Sequence, residues 1–292
     1  MEYEGTTYRP PPEADTLLLQ VTVGCSHNKC SFCAMYRDVS FRTVNMAQIE
    51  NDLKEAKFIR GSVDRVFLVN GDAFVLSANK LKAIAQKVKA TFPDCTTISM
   101  YASIRNIIPK SDIELKELRE CGINDLYIGI ESGSDNVQKL LNKGNTIEEA
   151  VTQLARLDKV GMSHISLLML GSAGRNRGLD NAKLTAEFLN TTQPKMVWAG
   201  TLAVFEGTEL YSDVEKGRFE LASELEVLEE EKELLRLISL SNTRFYVVHP
   251  TNTVPVSGIL PDDRQAMIDK IDQVIRTTGK EALSNSFIRS TL

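Results

Sequence analysis

Three of the five cysteines in the chain lie within nine residues of one another, in the stretch GCSHNKCSFCAMYR. Cys25, Cys30 and Cys33 have the spacing C-x4-C-x2-C, which is short enough for one loop to bring three thiolates to one metal centre. Thiolates bind zinc and iron–sulfur clusters strongly. The stretch therefore predicts a metal site built by a single loop.

The absence of a nearby fourth thiol restricts the kinds of metal centre that the loop can form. A structural zinc site closes four ligands, and His27 completes such a set only if its loop folds back beside Cys25. A plant-type two-iron cluster starts with the same spacing but needs a fourth cysteine. Cys95 and Cys121 lie before predicted strands, at the opposite ends from the loop, and we expect them to be small packing residues. The pattern favours a cluster with three protein ligands and one open iron.

Composition restricts the partners and the compartment. Thirty-four basic and 39 acidic residues give a net charge of −5, which argues against a protein that grips nucleic acid. The first residues lack the basic and long apolar segments of a secretory signal, and no run approaches the ~18 apolar residues of a membrane span. We expect a cytoplasmic, reducing location and no membrane contact.

Six short apolar runs rich in β-branched residues alternate with helical patterns along the chain. This alternation requires parallel strands joined by right-handed crossovers, in either a barrel or an open doubly wound sheet. Ligands of both architectures bind at the carboxyl ends of the strands, and the cysteine loop follows the first run. The predicted strands cover residues 17–23, 65–70, 96–101, 125–130, 164–170 and 196–205.

The pattern changes after residue 205. Residues 219–239 predict one long acidic helix whose charged side chains face solvent. A strand is predicted at 244–249, a Pro- and Gly-rich turn segment at 250–261, and a last helix at 262–278. We interpret this region as an accessory element that packs on the core.

The cysteine loop resembles that of the radical S-adenosylmethionine (SAM) superfamily, in which three cysteines after the first strand hold a [4Fe-4S] cluster. The family spacing is C-x3-C-x2-C, so this sequence has one additional residue in the first interval, while Phe32 fits the aromatic position before the last cysteine. The resemblance implies an α/β fold, a partial (β/α)6 TIM-like barrel with a C-terminal helical and strand extension. The implied boundaries are an N-terminal extension at 1–16, the core at 17–211 and the C-terminal accessory extension at 212–292.

The resemblance continues at the ends of the later strands. The NGD after the second strand is similar to the segment that receives the amino group of SAM, and IGIESGSDNVQKLLNKGNT is similar to the branch containing oxygen-independent coproporphyrinogen oxidases and methylthiotransferases. Ordinary structural roles stay open, because NGD is also a common turn and a glutamate favours a helix N-terminus. The residues that the resemblance assigns to SAM are Phe32, Gly71, Asp72, Ser103, Arg105, Glu131, Ser132, Leu170 and Gly171.

The resemblance implies a radical SAM enzyme whose open iron binds SAM and whose reduced cluster cleaves it to a 5′-deoxyadenosyl radical. An electron donor such as flavodoxin or ferredoxin is implied as a partner. A small or medium-sized substrate is expected, because the chain has no second cysteine cluster and is acidic. His249 is a candidate acid or base, or else a structural hydrogen-bond partner.

Two alternatives remain at the sequence level. One is a cluster-bearing electron-transfer or iron-sensing protein without turnover, and the other is an RNA-modifying radical SAM enzyme.

Overall fold

The computed structural model describes residues 1–289 and divides into two compact units. Unit 1 consists of Met1–Asn28, Met35–Ile128 and Thr152–His164, and unit 2 consists of Lys29–Ala34, Gly129–Val151 and the chain from Ile165 onward. The cysteine loop thus contributes Cys25 to unit 1 and Cys30 and Cys33 to unit 2.

Parallel pairing organises the strands of unit 1. The strands are β1 (Leu17–Gln20), β2 (Thr22–Val23), β3 (Arg42–Thr43), β4 (Arg65–Val69), β5 (Thr97–Ala102) and the first six residues of β6 (Ile123–Glu131). β1, β4, β5 and β6 are parallel neighbours in that order, while β2 and β3 form a short antiparallel ribbon. The central strand β4 is almost fully buried, as expected of a parallel strand covered on both faces.

Helices follow the strands of unit 1 and begin at capping residues. They are α1 (Met46–Arg60), α2 (Ala78–Thr91), α3 (Ile104–Ile107) and α4 (Asp112–Glu120). The side chains of Asn45, Ser77 and Ser111 accept hydrogen bonds from backbone N–H groups in the first turns of α1, α2 and α4. These side chains satisfy donors that a helix start leaves without an internal partner.

Unit 2 continues the alternation and then departs from it. Its helices are α5 (Asp135–Leu140), α6 (Ile147–Lys159, shared with unit 1), α7 (Gly178–Thr192), α8 (Glu209–Glu215), α9 (Glu224–Leu237) and α10 (Arg264–Thr278). Its strands are β7 (His164–Leu170, with its first residue in unit 1), β8 (Met196–Thr201), β9 (Thr243–Val247) and β10 (Val256–Leu260). β7, β8 and β9 are parallel neighbours, and β10 returns antiparallel to β9.

The sheet has the strand order β1-β4-β5-β6-β7-β8-β9-β10. The six predicted βα strands are therefore confirmed, and β9 and β10 extend the same sheet. No helix within residues 1–289 is both long and apolar enough to cross a membrane. The predicted boundaries after residues 16 and 211 stay predictions.

Two expectations for the C-terminal region are wrong. The sequence pattern places residues 256–260 in a turn segment, but their backbone groups pair with β9 and form β10. The same kind of pattern places the charged face of α9 in solvent, but Glu224, Glu230 and Glu231 are 1–3% exposed. α9 packs along α7, so neighbouring helices cover charges that the local pattern assigns to solvent.

Candidate active site

The first part of the cysteine loop is fastened to the segment that follows β4. The backbone N–H of Ser26 donates to Asp72 Oδ1 at 2.9 Å, and the Ser26 hydroxyl donates to Asp72 Oδ2 at 2.6 Å. Asn106 Nδ2 also donates to Asp72 Oδ2, at 3.3 Å. The Asp72 side chain, 5% exposed, therefore holds the residue next to Cys25 through a carboxylate with three donors.

Gly71 allows the backbone of this segment to approach the cysteine loop closely. Its φ is +57°, and a Cβ atom here would lie 1.9 Å from the carbonyl oxygen of Gly24 and 3.1 Å from the Cα of Cys25. Its N–H donates to the Tyr36 hydroxyl at 3.0 Å. Both the backbone angle and the lack of space require glycine.

The additional residue of the C-x4-C interval lies in a part of the loop that turns back at Asn28. Asn28 has a φ of +44°, a left-handed conformation that asparagine tolerates, and its Nδ2 donates to the carbonyl of Tyr36 at 2.6 Å. The neighbouring His27 Nδ1 forms a hydrogen bond with the guanidinium of Arg105. Arg105, a predicted SAM contact after β5, thus lies beside the loop.

The second part of the loop belongs to unit 2 and is fixed on α5. The N–H of Cys33 donates to the carbonyl of Cys30 at 3.2 Å, which closes a turn. The N–H of Ser31 donates to the Leu141 carbonyl at 3.0 Å, and its hydroxyl donates to the Leu140 carbonyl at 2.8 Å. These contacts hold Cys30 and Cys33 on one turn at the end of α5.

Lys143 brings a positive charge to this turn, and the sequence-based predictions do not include it. Its Nζ pairs with Glu131 Oε1 at 2.8 Å and lies 5.9 Å from the centroid of the Phe32 ring. Burial opposes the charge on Lys143, but attraction to Glu131, Cys30 and Cys33 outweighs it and raises the pKa of the ammonium. The KGNT stretch gives no sign of this role, because no local pattern pairs a loop lysine with a strand-end glutamate.

Outside the cysteine loop, the residues of unit 2 that are predicted to contact SAM lie at the ends of β6 and β7. Glu131 is the last residue of β6 and has a φ of +64°, a strained conformation of the kind that occurs at functional sites. Ser132 is fully buried, and Gln138 donates to its carbonyl at 2.7 Å. Leu170 ends β7, and the next residue, Gly171, has a φ of +77°.

Ser103 occupies the equivalent place after β5 in unit 1. It caps α3, and its backbone N–H donates to Asn106 Oδ1 at 2.9 Å. Asn106 therefore joins two predicted SAM-contacting segments, those of Ser103 and Asp72. The structure places every predicted SAM contact outside the cysteine loop at or near the carboxyl end of a strand.

His249 follows β9 in unit 2. Its Nδ1 is 2.8 Å from the Thr251 hydroxyl, and its ring centroid is 5.7 Å from that of Trp198 in an edge-to-face arrangement. Burial lowers the pKa of His249, which favours the neutral imidazole. Its role as acid or base stays a prediction.

Of the two cysteines outside the loop, Cys95 is buried as expected, and Cys121 is the C-terminal cap of α4.

Residues 19–180, more than half of the chain, match the model of the Radical SAM superfamily. The chain belongs to this superfamily, whose enzymes use a [4Fe-4S] cluster and SAM. The predicted fold class is thereby confirmed, and the predicted cofactors and enzyme class are those of the superfamily.

Curated relatives match only part of their own length. The heme chaperone HemW of Bacillus subtilis (strain 168) is 24% identical over 196 residues, covering 66% of this chain and 50% of that protein. The 4′-phospho-dehydrooxetanocin synthase of Priestia megaterium is 27% identical over 203 residues, covering 62% of this chain and 26% of that protein. The chain thus spans half or less of the length of these relatives.

Solved structures show the same fold at low identity. Methylornithine synthase (PylB) has a TM-score of 0.55 at 17% identity, covering 93% of this chain and 83% of that chain. Coproporphyrinogen III oxidase (HemN) from Escherichia coli has a TM-score of 0.55 at 17% identity, covering 76% of this chain and 52% of that chain.

Proposed function

We propose that Cys25, Cys30 and Cys33 hold a [4Fe-4S] cluster and that the protein uses SAM to act on a small or medium-sized organic molecule. The observation that carries this proposal is the attachment of the cysteine loop to Gly71 and Asp72. A hydrogen-bonded carboxylate, and a backbone approach so close that a Cβ on Gly71 would lie 1.9 Å from Gly24, tie the loop to the segment that the family resemblance assigns to SAM.

The donor set fits an iron–sulfur cluster. All three thiols are half-buried, and the raised pKa of Lys143 reflects its attraction to two of them. Within residues 1–289 no group of three or more His, Cys, Asp or Glu side chains is placed to hold a metal ion. The convergence of the three sulfurs therefore rests on their spacing along one loop and on the family.

When bound, the cluster and SAM supply a reductive cleavage that gives a 5′-deoxyadenosyl radical for hydrogen abstraction. The proposed role of the chain's own residues is to bind and orient SAM. Gly71 and Asp72 shape the segment beside the cysteine loop, and Arg105 offers a cation suited to a carboxylate. In unit 2, Glu131 and Ser132 offer polar groups, while Leu170 and Gly171 offer an apolar side chain and a backbone turn. Phe32 offers an aromatic face.

Charge supports the proposed substrate class, and the family resemblance supports the proposed electron donor. The net charge of −5 supports a small-molecule substrate over RNA, and a flavodoxin or ferredoxin is the proposed electron donor. His249 is the proposed acid or base on the substrate side. A reducing cytoplasm is the proposed location, because three thiols must stay available as thiolates.

Anaerobic reconstitution with iron and sulfide, followed by dithionite and SAM, tests the function. We expect 5′-deoxyadenosine above the level of a control without enzyme. An intact cluster that forms no 5′-deoxyadenosine would refute the proposed turnover and favour the electron-transfer alternative.

Single substitutions test the ligand set. Cys25→Ala, Cys30→Ala and Cys33→Ala should each abolish the brown chromophore of the reconstituted protein. Cys95→Ala and Cys121→Ala are matched controls that should retain it. Loss of the chromophore in Cys121→Ala would point to a site with four thiolates instead.

A further inference from the structure

Glu230 on α9 is a buried carboxylate that the proposed function does not use. It is 2% exposed, and within residues 1–289 its oxygens accept from a backbone N–H and a side-chain amide, not from a cation. Oε1 accepts from Asn181 Nδ2 at 2.7 Å, and Oε2 accepts from the backbone N–H of Gly171 at 2.9 Å. Glu230 therefore reaches from the C-terminal region to the turn after β7.

Asn181 extends the contact to the turn after β6. Its Oδ1 accepts from the Ser132 hydroxyl at 2.5 Å, and the hydroxyl oxygen of Ser132 accepts from the backbone N–H of Ser134 at 3.0 Å. Ser132, Asn181 and Glu230 are all buried. A continuous chain of hydrogen bonds thus joins α9 to both turns of unit 2 that carry predicted SAM contacts.

The packing around Glu230 leaves these turns little freedom. A Cβ on Gly171 would lie 3.2 Å from Val227 Cγ2 on α9, and a Cβ on Gly178 would lie 3.2 Å from the Cβ of Glu230. Glu131 and Glu230 line the same small cavity. The network therefore lies directly behind the residues proposed to face SAM.

The chemistry of the two donors explains why the residue is acidic. A backbone N–H and an amide N–H both need an acceptor when buried, and a carboxylate has acceptors at both oxygens. Without a cation, burial raises the pKa of Glu230 to about 7, and the hydrogen bonds from Asn181 and Gly171 only partly oppose this. An acidic side chain whose charge is costly to bury thus lies where it accepts hydrogen bonds from both donors.

We infer that Glu230 is a positioning residue, which holds the 131–134 and 170–174 turns in the geometry that binds SAM. The inference rests on the proposed function, because SAM binding at these turns is part of it. It assigns to the C-terminal region a part in the cofactor site, through the two turns that Glu230 holds.

Glu230→Gln tests the inference first without any cofactor. Glutamine keeps the side-chain shape but presents an NH2 group to one of two N–H donors. We expect faster amide hydrogen exchange at Gly171 and residues 132–134 at pH 8, with a melting temperature within a few degrees of the wild type. Glu233→Gln, which removes a charge paired with Arg236 on the same helix, is the matched control. Exchange in E230Q that equals that of E233Q would overturn the inference.

The second measurement is SAM affinity by equilibrium dialysis of the reconstituted, unreduced protein. We expect binding about tenfold weaker in E230Q and unchanged in E233Q. Equal affinity in both variants, or a loss that accompanies a large fall in melting temperature, would overturn a positioning role. A wild-type protein with an intact cluster that binds no SAM would instead refute the proposed function, while the exchange experiment would still report on the turns.

Discussion

Lys110 in unit 1 and Glu230 in unit 2 have the same structural task with opposite charges. Lys110 Nζ donates to the carbonyls of Phe74 at 2.7 Å and Asn106 at 2.9 Å, and lies 4.4 Å from the centroid of the Phe74 ring. It thereby joins the segments that follow β4 and β5. Glu230 accepts from Gly171 and Asn181 and joins the turns after β6 and β7.

The backbone groups left without partners determine which charge is used. Carbonyl groups without a partner need a hydrogen-bond donor, and an ammonium group has three N–H donors. N–H groups without a partner need an acceptor, and a carboxylate has two acceptor oxygens. Burial lowers the pKa of Lys110 to about 8 and raises that of Glu230 to about 7. A buried charge can thus be fixed by backbone and amide groups alone, although its burial has a cost in stability.

Glu13 shows what a counter-ion changes. It is 1% exposed, yet its pKa is lowered, because hydrogen bonds and attraction from Arg65, Thr16 and Tyr127 outweigh burial. Arg65 Nη2 lies 2.6 Å from Glu13 Oε1. Two carboxylates with almost no exposed surface therefore have opposite pKa shifts, and the one with a cationic partner has the lowered pKa.

The largest loss of stability should come from adding a methyl group where two backbone segments of the same unit lie in close contact. A Cβ on Gly71 would lie 1.9 Å from the Gly24 carbonyl, and one on Gly133 would lie 2.4 Å from the Leu184 carbonyl. We expect Gly71→Ala and Gly133→Ala each to lower the free energy of unfolding by about 3 kcal/mol, measured by urea denaturation.

Gly61→Ala is the control for the backbone angle of Gly71. Gly61 also has a positive φ, +69°, but a Cβ at this position would meet no atom of another segment within 4 Å. Backbone strain without a steric clash should lower the free energy of unfolding by about 1 kcal/mol. Equal losses for Gly61→Ala and Gly71→Ala would show that the contact with Gly24 is unimportant.

Removing the two buried charges should have the next largest effect. Lys110→Met leaves two buried carbonyls without this donor, and Glu230→Met leaves two N–H groups without this acceptor. Relief of charge burial offsets part of each loss, so we expect each variant to lose about 2 kcal/mol of unfolding free energy in urea. A gain in stability for one variant only would show that the two side chains do not act alike.

The pH dependence of stability should have opposite slopes for the two groups. The folded state binds fewer protons than the unfolded state at Lys110 between pH 8 and 10.5, so its contribution rises with pH there. At Glu230 the folded state binds more protons between pH 4.5 and 7, so its contribution falls as pH rises. Each spans at most about 3 kcal/mol.

Difference curves isolate these contributions. Wild type minus Lys110→Met should change mainly between pH 8 and 10.5, and wild type minus Glu230→Gln mainly between pH 4.5 and 7. Glu226 on the same helix titrates in both members of the second pair, whereas the pKa of Glu231, which the Glu230 charge helps to raise, should fall in the variant. A flat difference curve would contradict the corresponding pKa shift.

The smallest loss of stability is expected when a neutral amide replaces the Asp72 carboxylate, which accepts three hydrogen bonds. Asp72→Asn keeps an acceptor for the Ser26 N–H but presents an NH2 group towards Asn106. We expect a loss of about 1 kcal/mol and increased amide exchange at Ser26. Exchange at Ser26 that stays at the wild-type level would show that the Asp72 contact does not hold the cysteine loop.

Much of the fold and part of the site could be predicted from local pattern. The six βα strands are where the apolar runs indicated, so Asp72, Ser103, Glu131 and Gly171 lie at or just after strand ends. The roles of these residues toward SAM and the cluster stay predictions. Lys143 was missed, because its partner Glu131 is twelve residues away, at the end of β6.

The sequence by itself determined the spacing of three thiols on one loop and the alternation of strands and helices, since both are properties of short segments. Only the tertiary structure decided that Lys110, Asn181 and Glu230 are buried and what they hold. Glu230 stands in a run of acidic residues that is typical of a solvated helix face. Its partners come from elements 49 and 59 residues away, and no local pattern encodes them.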